Sequence, residues 1–273
     1  MKIATIARDK AHSPNMVAND TAILEAVSEE LRNRGAEVFA AEGDSFEGFD
    51  AVCHMSRTNT VLNKLGKAEE EGIIIINSPK AIENCSRQMI METLDGSGIP
   101  QPAFTMIENG TDIGTLHYPA WIKRAEGCNC HRNDVCYAGN ADEARAAIQE
   151  MRSRGIDKQI HCEHIEGDII KFYGVGRNFF RYCYPDPEKS KFGLERINGC
   201  PKHYPFNLDE MKKIVFTAAQ AAGLEIYGGD CIVDHLGRIY IIDLNDFPSF
   251  SSVRDEAAKE IAEHIINKIK GTK

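Results

Sequence analysis

The stretch GGDCIVDHLGRIYIIDLNDFPSF (228–250) reads as two β-strands joined by a tight turn. Asp230 lies on the first strand, and Asp243 and Asn245 lie on the second. Residues i and i+2 of a strand face the same side, so Asp243 and Asn245 project together, with Asp230 nearly opposite. Two carboxylates and an amide oxygen form a hard, oxygen-rich site that suits Mg²⁺. The plainer interpretation is that these residues face solvent from an alternating strand.

Basic residues stand on two further predicted strands. Lys123 lies in YPAWIKRA (118–125), and Lys171 lies in DIIKFYGVG (168–176). Each alone is an ordinary solvated strand residue. Beside a metal site, however, both become candidates for holding nucleotide phosphates, because a phosphoryl group needs cations to offset its developing charge. The segment EGCNCHRND (126–134) would then form a loop over those phosphates.

The first third of the chain alternates strands and helices. The predicted strands are KIATIA (2–7), AEVFA (36–40), DAVCHM (50–55) and GIIIIN (72–77). Such alternation predicts an α/β fold with a parallel sheet and helices on its faces. Ser78 and Pro79 then form a helix start, a capping hydroxyl followed by proline at the first helical position. We divide the chain into an N-terminal α/β lobe (1–80), a central lobe (81–166) and a C-terminal lobe with the metal site (167–273).

The later elements are less regular. Further strands are predicted at 103–107, 118–125, 135–138, 158–165, 168–176 and 178–184. One helix or a helix pair is predicted over 79–95, and single helices at 141–154, 208–222 and 254–269. The segment 185–207 has no period and reads as a long loop, a feature that is usually functional in a compact domain. HCEHIEGD (161–168) could offer backbone hydrogen bonds to an adenine and a carboxylate to a ribose.

Composition excludes several classes of partner. The 273 residues carry a net charge of −9, which repels polyanions and argues against nucleic acid and anionic membranes. No apolar run approaches the roughly 20 residues of a membrane span. The start, MKIATIARDK, is not a signal peptide, since charge arrives at Lys2 and Arg8. Nine cysteines without an export signal are typical of free thiols, so we expect a cytoplasmic protein.

These segments, in this order, resemble the ATP-grasp superfamily. The matching segments are 77–102, 118–127, 163–176 and 228–250, and the resemblance they carry extends over about two-thirds of the chain. The Asp-x-Asn-x-x-Pro pattern that follows a carboxylate-bearing strand is similar to that of amino-acid and peptide-glutamate ligases of the glutathione-synthetase type. DLNDFPSF also resembles a segment of inositol trisphosphate kinases, which share this fold. The resemblance implies an ATP-grasp fold preceded by the N-terminal parallel-sheet lobe.

The resemblance also implies the cofactors and the groups that bind them. ATP and two Mg²⁺ ions are expected, with Asp230, Asp243 and Asn245 matching the family's metal ligands. The implied phosphate contacts are Lys123 at the α-phosphate, Arg87 where the family usually has lysine, and Lys171 near the terminal phosphates. The implied adenine and ribose contacts are Glu163, His164 and Ile165 at the hinge, with either Glu166 or Asp168 at the ribose.

The substrate side is less defined. Arg177 and Arg181 fall where relatives hold an acyl phosphate or the acceptor, and with Lys171 they are the candidate catalytic residues. The expected substrate is a small molecule or a peptide, and a homodimer is one option for assembly. Two positions depart from the family pattern: the phosphate loop CNCHRND (128–134) is poor in glycine, and Ser249 follows the final proline instead of glycine.

Three function classes remain open. The first is a ligase that phosphorylates a carboxylate and lets an amine attack the acyl phosphate. The second is a kinase that phosphorylates a hydroxyl of a polyol phosphate, and the third is a nucleotide-binding protein without activity. The intact metal and lysine set argues against the third. A kinase of polyphosphorylated substrates should crowd basic residues around its acceptor, and the loop 185–207 is only mildly basic, which favours the ligase.

Two residue groups keep alternative interpretations. Cys128, Cys130, His131 and Cys136 have ligand types that suit Zn²⁺ but an uncommon spacing, so plain loop residues or oxidisable thiols compete with a metal site. A second group lies at the ends of the first-lobe strands, where open α/β sheets bind ligands: His12, Ser13, His54, Ser56 and Arg57. Two interpretations fit that position equally well: Arg57 or His12 contacts the substrate, or these residues are solvated parts of loops.

Overall fold

The computed structural model describes residues 1–43, 45–126, 131–186 and 197–272. These residues form three four-stranded sheets and seven α-helices, with short 3₁₀ turns between some of them. None of these helices is both long enough and apolar enough to cross a membrane.

The first sheet is parallel, as the alternation of strands and helices predicts. Its strands, in the order β2-β1-β3-β4, are β1 (Lys2–Ile6), β2 (Glu37–Ala40), β3 (Ala51–His54) and β4 (Ile74–Ile76). The helices α1 (Val17–Asn33) and α2 (Asn59–Glu70) connect them. Ile23, Val27 and Leu31 are fully buried, so the apolar stripe of α1 faces the core, and Gly35 takes the left-handed conformation just beyond the helix (φ 83°).

Two short helices follow where one helix or a pair is predicted. They are α3 (Pro79–Glu83) and α4 (Arg87–Gly96). Each begins with a serine whose side chain accepts a hydrogen bond from the first turn, Ser78 from the Ala81 N–H and Ser86 from the Met89 N–H. Ser86 adopts an extended backbone, so the pair is separated at this second cap.

The second sheet is antiparallel and has the order β5-β8-β6-β7. Its strands are β5 (Phe104–Ile107), β6 (Ala120–Arg124), β7 (Val135–Ala138) and β8 (Gln159–Glu163). The helix α5 (Ala141–Ser153) packs on the face that contains Ile122 and Ala138. Met91 of α4 packs on the opposite face, against Ile160 and Cys162.

The third sheet is also antiparallel, in the order β10-β9-β11-β12. Its strands are β9 (Asp168–Val175), β10 (Phe179–Cys183), β11 (Ile226–Val233) and β12 (Ile239–Asp246), and two helices complete the lobe, α6 (Leu208–Ala222) and α7 (Arg254–Thr272). One face packs with α4 and α6 through Phe172, Cys231 and Leu244. Part of the other face, including Tyr173, joins the core shared by α1, α7 and the first sheet.

The α/β class and the parallel N-terminal sheet are therefore confirmed. The division of the chain at residues 80 and 166 stays a prediction, and α3 (Pro79–Glu83) runs across the first of these positions.

Candidate active site

A β-bulge in β12 brings the predicted metal ligands to one face. Asp230 pairs with Asp243, but the next residue, Cys231, pairs with Ile241, so Ile242 is an extra residue in the ladder. Before the bulge the odd-numbered residues of β12 are buried, and after it the even-numbered ones are. The bulge thus turns Asp243 and Asn245 away from the core that holds Ile241.

Three charged side chains cross this face in a row. Lys171 on β9, Asp230 on β11 and Asp243 on β12 are direct cross-strand partners, so their side chains project from the same side. The Lys171 Nζ lies 2.6 Å from the Asp230 Oδ1, and both side chains are partly exposed. Burial by itself lowers the pKa of the Lys171 ammonium, but Asp230 outweighs it, so the pKa is raised and the lysine is charged.

The third predicted ligand completes the set beside Asp243. The Asn245 Nδ2 donates a hydrogen bond of 2.8 Å to the Asp243 Oδ2, which leaves the amide oxygen outside that bond. Within the described ranges, no three acidic, histidine or cysteine side chains come together as a metal centre. A metal at this row would therefore take two carboxylates and an amide oxygen, an oxygen donor set that fits Mg²⁺.

The predicted phosphate cations meet on the central sheet. Lys123 shares a sheet face with Ile160. Burial raises the pKa of the Cys162 thiol, and the charges of Lys123 and Arg87 partly offset that rise, so both cations lie near this thiol. The Arg87 Nη1 donates to the Arg124 carbonyl at 2.6 Å, which holds the start of α4 against the end of β6. The structure thus brings Lys123 and Arg87 to the same place.

The residues between α3 and α4 connect the two groups of charges. Cys85 lies within electrostatic range of Asp243 and Asp246, and burial, the dominant effect, raises the pKa of its thiol. Arg87, two residues on, lies within range of Cys162 beside Lys123. The residues that join α3 to α4 therefore lie within electrostatic range of members of both groups.

An aromatic group occupies the predicted hinge. Trp121, Tyr137 and His164 pack with ring centroids 5.3–6.0 Å apart. The indole N–H of Trp121 donates to the His164 Nδ1 at 3.1 Å, and because indole only donates, His164 is neutral with its proton on Nε2. Burial also lowers the pKa of His164. Trp121 is two residues from Lys123 on β6, so the aromatic rings and the cation share one face.

The hinge backbone is partly occupied. The N–H of Glu163 donates to the Ala103 carbonyl at 2.9 Å, and that of His164 donates to the Pro119 carbonyl at 3.0 Å. The Ile165 carbonyl accepts from the Asn198 amide at 3.1 Å. A nucleobase that needs a backbone donor here would use a residue beyond His164.

The two candidate ribose carboxylates have different environments. Asp168 is buried, and its oxygens accept from the N–H groups of Lys202 (2.6 Å) and Tyr204 (2.8 Å). It therefore anchors the loop that precedes α6. Glu166 is exposed at the end of the hinge, so its carboxylate is open to solvent, unlike that of Asp168.

The two candidate acceptor arginines are not brought together. Arg181 shares the face of Tyr173, its cross-strand partner, and its Nη2 lies 2.6 Å from a Glu256 carboxylate oxygen on α7. Arg177 is exposed at the β9–β10 turn and lies over the ring of Phe216, 4.3 Å from its centroid. Phe216 belongs to α6, which packs on the opposite side of the sheet, so Arg177 is directed away from the carboxylate row.

An ion cluster that sequence reasoning did not assemble lies beside the row. Asp246, directly after Asn245, is buried and contacts Arg57 and Arg8 of the first lobe. Arg57, one of the two candidate substrate contacts, is thus bonded to protein. His54 is also buried and contacts the Asn77 carbonyl at 2.7 Å. The sequence indicates only that His54 and Arg57 lie at the carboxyl end of a strand of the first sheet, and Arg8 just after another.

Part of the cysteine group lies outside the described residues, namely Cys128 and Cys130 with the rest of 127–130. Its other members have local partners. The His131 side chain accepts from the Asn133 N–H at 3.2 Å and caps a 3₁₀ turn, and the Cys136 thiol donates to the Asn133 carbonyl at 3.4 Å. The zinc interpretation stays a prediction.

Solved structures share this architecture over almost the whole chain. Two crystal structures of D-alanine–D-alanine ligase from Bacillus anthracis, one of them complexed with ATP, each match with a TM-score of 0.71. Each match covers 99% of this chain and 98% of the other, at 13% sequence identity.

The chain has the ATP-grasp fold. This confirms the fold that the closing motif and the order of the segments predict. At 13% identity the likeness concerns the fold alone. No family model and no curated protein sequence match the chain.

Proposed function

We propose that this protein is an ATP- and Mg²⁺-dependent ligase that forms an acyl phosphate on a carboxylate and couples it to an amine. One observation carries the proposal: the row of Lys171, Asp230 and Asp243, completed by Asn245, on one sheet face of an ATP-grasp fold. A matching structure of the same fold is complexed with ATP. The fold therefore supports the cofactor, and the row supplies oxygen ligands and a cation for its phosphates.

Asp230, Asp243 and Asn245 would hold Mg²⁺, which when bound neutralises charge on the phosphates during transfer. Lys171 lies beside Asp230 and would orient the terminal phosphates from the same row. Lys123 on β6 and Arg87 at the start of α4 would hold phosphates nearer the nucleoside. Cations placed around the phosphates in this way stabilise a phosphoryl group during its transfer, and the transfer needs no protein nucleophile.

The nucleoside would lie along the central sheet. Trp121 and Lys123 are two residues apart on β6, a distance of roughly 6.6 Å along the strand. With phosphates at Lys123, the base would lie beside Trp121 and its neighbours Tyr137 and His164. Glu166 is the carboxylate that we assign to the ribose. Asp168 would act indirectly, by fixing the loop that ends at α6.

The reaction balances without water or an external oxidant. A substrate carboxylate oxygen attacks the γ-phosphorus, and the bond to ADP breaks. The neutral amine then attacks the acyl carbon, phosphate leaves with that carboxylate oxygen, and the amine nitrogen releases one proton, which the departing phosphate can accept. Arg181 is the arginine that we assign to the acceptor side, although it must exchange its contact with Glu256 to reach a substrate. Arg177 is left without a role in this step.

A kinase that phosphorylates a hydroxyl is the alternative, favoured by the resemblance of DLNDFPSF (243–250) to the inositol phosphate kinases. Such an enzyme would need many cations at its acceptor. The loop 185–207 is only mildly basic, because its acidic residues Asp186, Glu188 and Glu195 offset Lys189, Lys191, Arg196, Lys202 and His203. The Lys202 backbone is also bonded to Asp168. This composition supports the ligase.

Turnover with pooled acceptors tests the proposal. The purified protein is incubated with ATP, Mg²⁺ and pools of amino acids, carboxylates or polyol phosphates, with hydroxylamine as a trap for acyl phosphates. A ligase releases ADP with a carboxylate pool and yields a hydroxamate. ADP release only with polyol phosphates, without hydroxamate, supports the kinase instead. The same experiment with Asp243→Ala excludes a contaminating ATPase.

A further inference from the structure

The carboxylate of Asp246 ties the end of the metal strand to the first lobe. It is 1% exposed, and it contacts arginines from two separate loops. The Arg8 Nη1 lies 3.4 Å from the Asp246 Oδ2, and the Arg57 Nη2 contacts the Oδ1. Arg8 follows β1 and Arg57 follows β3, so both arginines reach β12 from the carboxyl ends of parallel strands.

Both arginines are themselves held in place. The Arg8 Nε lies 3.2 Å from the Asp20 Oδ2, which also accepts from the Ser13 hydroxyl at 2.7 Å. The loop of Arg57 is joined to the loop of Arg8, because Asp9 accepts hydrogen bonds from Ser56 and Thr58. The two guanidinium groups are therefore presented to Asp246 by loops that are hydrogen-bonded to each other.

Arg8 also holds the backbone after the strand. Its Nη2 donates to the carbonyls of Asp246 (3.4 Å) and Phe247 (2.8 Å). Phe247 has φ 27° and Phe250 has φ 48°, which are rare for bulky residues and persist only where the surroundings enforce them. The contacts of Arg8 and the full burial of both phenylalanine rings provide that enforcement.

Position along β12 links this cluster to the metal ligands. Asp246 is adjacent to Asn245, and the alternation of the strand directs their side chains to opposite faces. Asp246 is too buried to contact a metal or a substrate, but it fixes the backbone that presents Asn245 and, through the Asn245–Asp243 hydrogen bond, Asp243.

We propose that Asp246 is a positioning residue: Arg8 and Arg57 hold it so that Asn245 and Asp243 keep the geometry that Mg²⁺ requires. The metal site of the third sheet then depends on the first lobe, which contributes no ligand of its own. This inference rests on the proposed function, since it assumes that Mg²⁺ and nucleotide bind at the row.

Asp234 supplies a matched control. It is a buried aspartate of the same hairpin, paired with Arg238 at 2.7 Å and bonded to the N–H groups of Leu236 and Arg238. It lies at the β11–β12 turn, the opposite end of the hairpin from Asp246. Asp234→Asn therefore removes a buried, arginine-paired carboxylate without touching the end of β12 that holds Asn245.

The experiment measures ADP binding by calorimetry over a range of Mg²⁺ concentrations. For Asp246→Asn we expect the Mg²⁺ concentration that gives half-maximal ADP binding to rise about 10- to 100-fold. Losing a group that orients metal ligands typically weakens metal affinity by this factor. Arg57→Gln, with a partly exposed side chain, should shift in the same direction and carries the test if Asp246→Asn does not fold. Asp234→Asn should lower thermal stability and leave the Mg²⁺ dependence unchanged.

Two results overturn the inference alone. One is a wild-type Mg²⁺ dependence in folded Asp246→Asn and Arg57→Gln, which would leave Asp246 a purely stabilising residue. The other is an equal shift in Asp234→Asn, which would trace the effect to general loosening of the hairpin. Failure of the wild-type protein to bind ADP at any Mg²⁺ concentration would instead overturn the proposed function, and this inference with it.

Discussion

Replacing Lys171 with methionine removes the cation of the carboxylate row while keeping a side chain of similar length. The ammonium lies 2.6 Å from Asp230, and Asp243 is the direct partner of Asp230 on the neighbouring strand. Without Lys171, the two carboxylates face each other and the ammonium that Asp230 contacts is lost. We therefore expect Lys171→Met to destabilise the metal-free protein.

The magnitude follows from the spacing of the pair. Direct cross-strand side chains lie roughly 5 Å apart, where two like charges repel by about 3 kcal/mol at an effective dielectric constant of about 20. Lys171 and Asp230 side chains are 34% and 23% exposed, so water and salt reduce the effect to about 1–2 kcal/mol. For a chain of this length, that corresponds to a fall of about 2–6 °C in Tm.

Thermal unfolding with EDTA or with saturating Mg²⁺ measures this effect. Mg²⁺ should restore most of the lost stability in Lys171→Met, because the dication replaces the missing positive charge, and it should stabilise the variant more than the wild type. The control is Lys158→Met: Lys158 is also 2.6 Å from a carboxylate, Glu126, but both are about 60% exposed. That variant should stay within about 0.5 kcal/mol of the wild type and show no special response to Mg²⁺.

Equal unfolding temperatures of Lys171→Met and Lys158→Met in EDTA would contradict this prediction. So would an Mg²⁺ stabilisation of Lys171→Met no larger than that of the wild type. Either result would show that Asp230 and Asp243 do not form a shared anionic site.

Further predictions concern individual groups. Asp243→Ala should abolish Mg²⁺-dependent ATP turnover while circular dichroism shows an unchanged fold; retained turnover removes Asp243 from the metal site. Lys123→Ala should reduce the rise in Tm on adding nucleotide, and an unchanged rise contradicts its phosphate contact. Burial alone would raise the pKa of Asp246, but Arg57 and Arg8 lower it to about 2. The ionised Asp246 carboxylate should therefore stabilise the fold fully above pH of about 4, and this stabilisation should be lost toward pH 2. Acid unfolding of Asp246→Asn should lack this contribution.

Much of the fold could be predicted because local signals agree with the tertiary structure. The helix start at Ser78-Pro79 and the apolar stripe of α1 are local features, and both appear in the structure. The parallel sheet follows from the alternation of strands and helices. The division between α3 and α4 depends on a second cap, Ser86, whose extended backbone the helical pattern does not reveal.

The candidate site shows where strand periodicity alone fails. Ile239, Ile241, Asp243 and Asn245 are all odd-numbered, so a regular strand would place the two polar residues on the same face as two buried isoleucines. The extra residue Ile242 resolves this conflict, and nothing in the local sequence marks a bulge there. The pairing of Asp243 with Asn245 could be predicted, whereas the face they share depends on tertiary packing.

Long-range ion contacts could not be predicted at all. Arg8 and Asp246 are separated by 238 positions, and their contact exists because the first and third sheets meet. Asp168 illustrates the same difficulty, since only the structure shows that the backbone of Lys202 and Tyr204 already occupies its carboxylate. Whether a carboxylate is buried, and which group it contacts, is decided only when the separate parts of the chain pack together.

The destination of the γ-phosphoryl group distinguishes a carboxylate–amine ligase from a kinase. Phosphorus NMR of a turnover mixture that contains ATP, Mg²⁺ and an accepted carboxylate and amine identifies every phosphorus product. For a ligase we expect ADP and inorganic phosphate in equal amounts, with no phosphate ester, and no reaction with Asp243→Ala. A phosphate ester as the stable product would show a kinase and would contradict the ligase assignment.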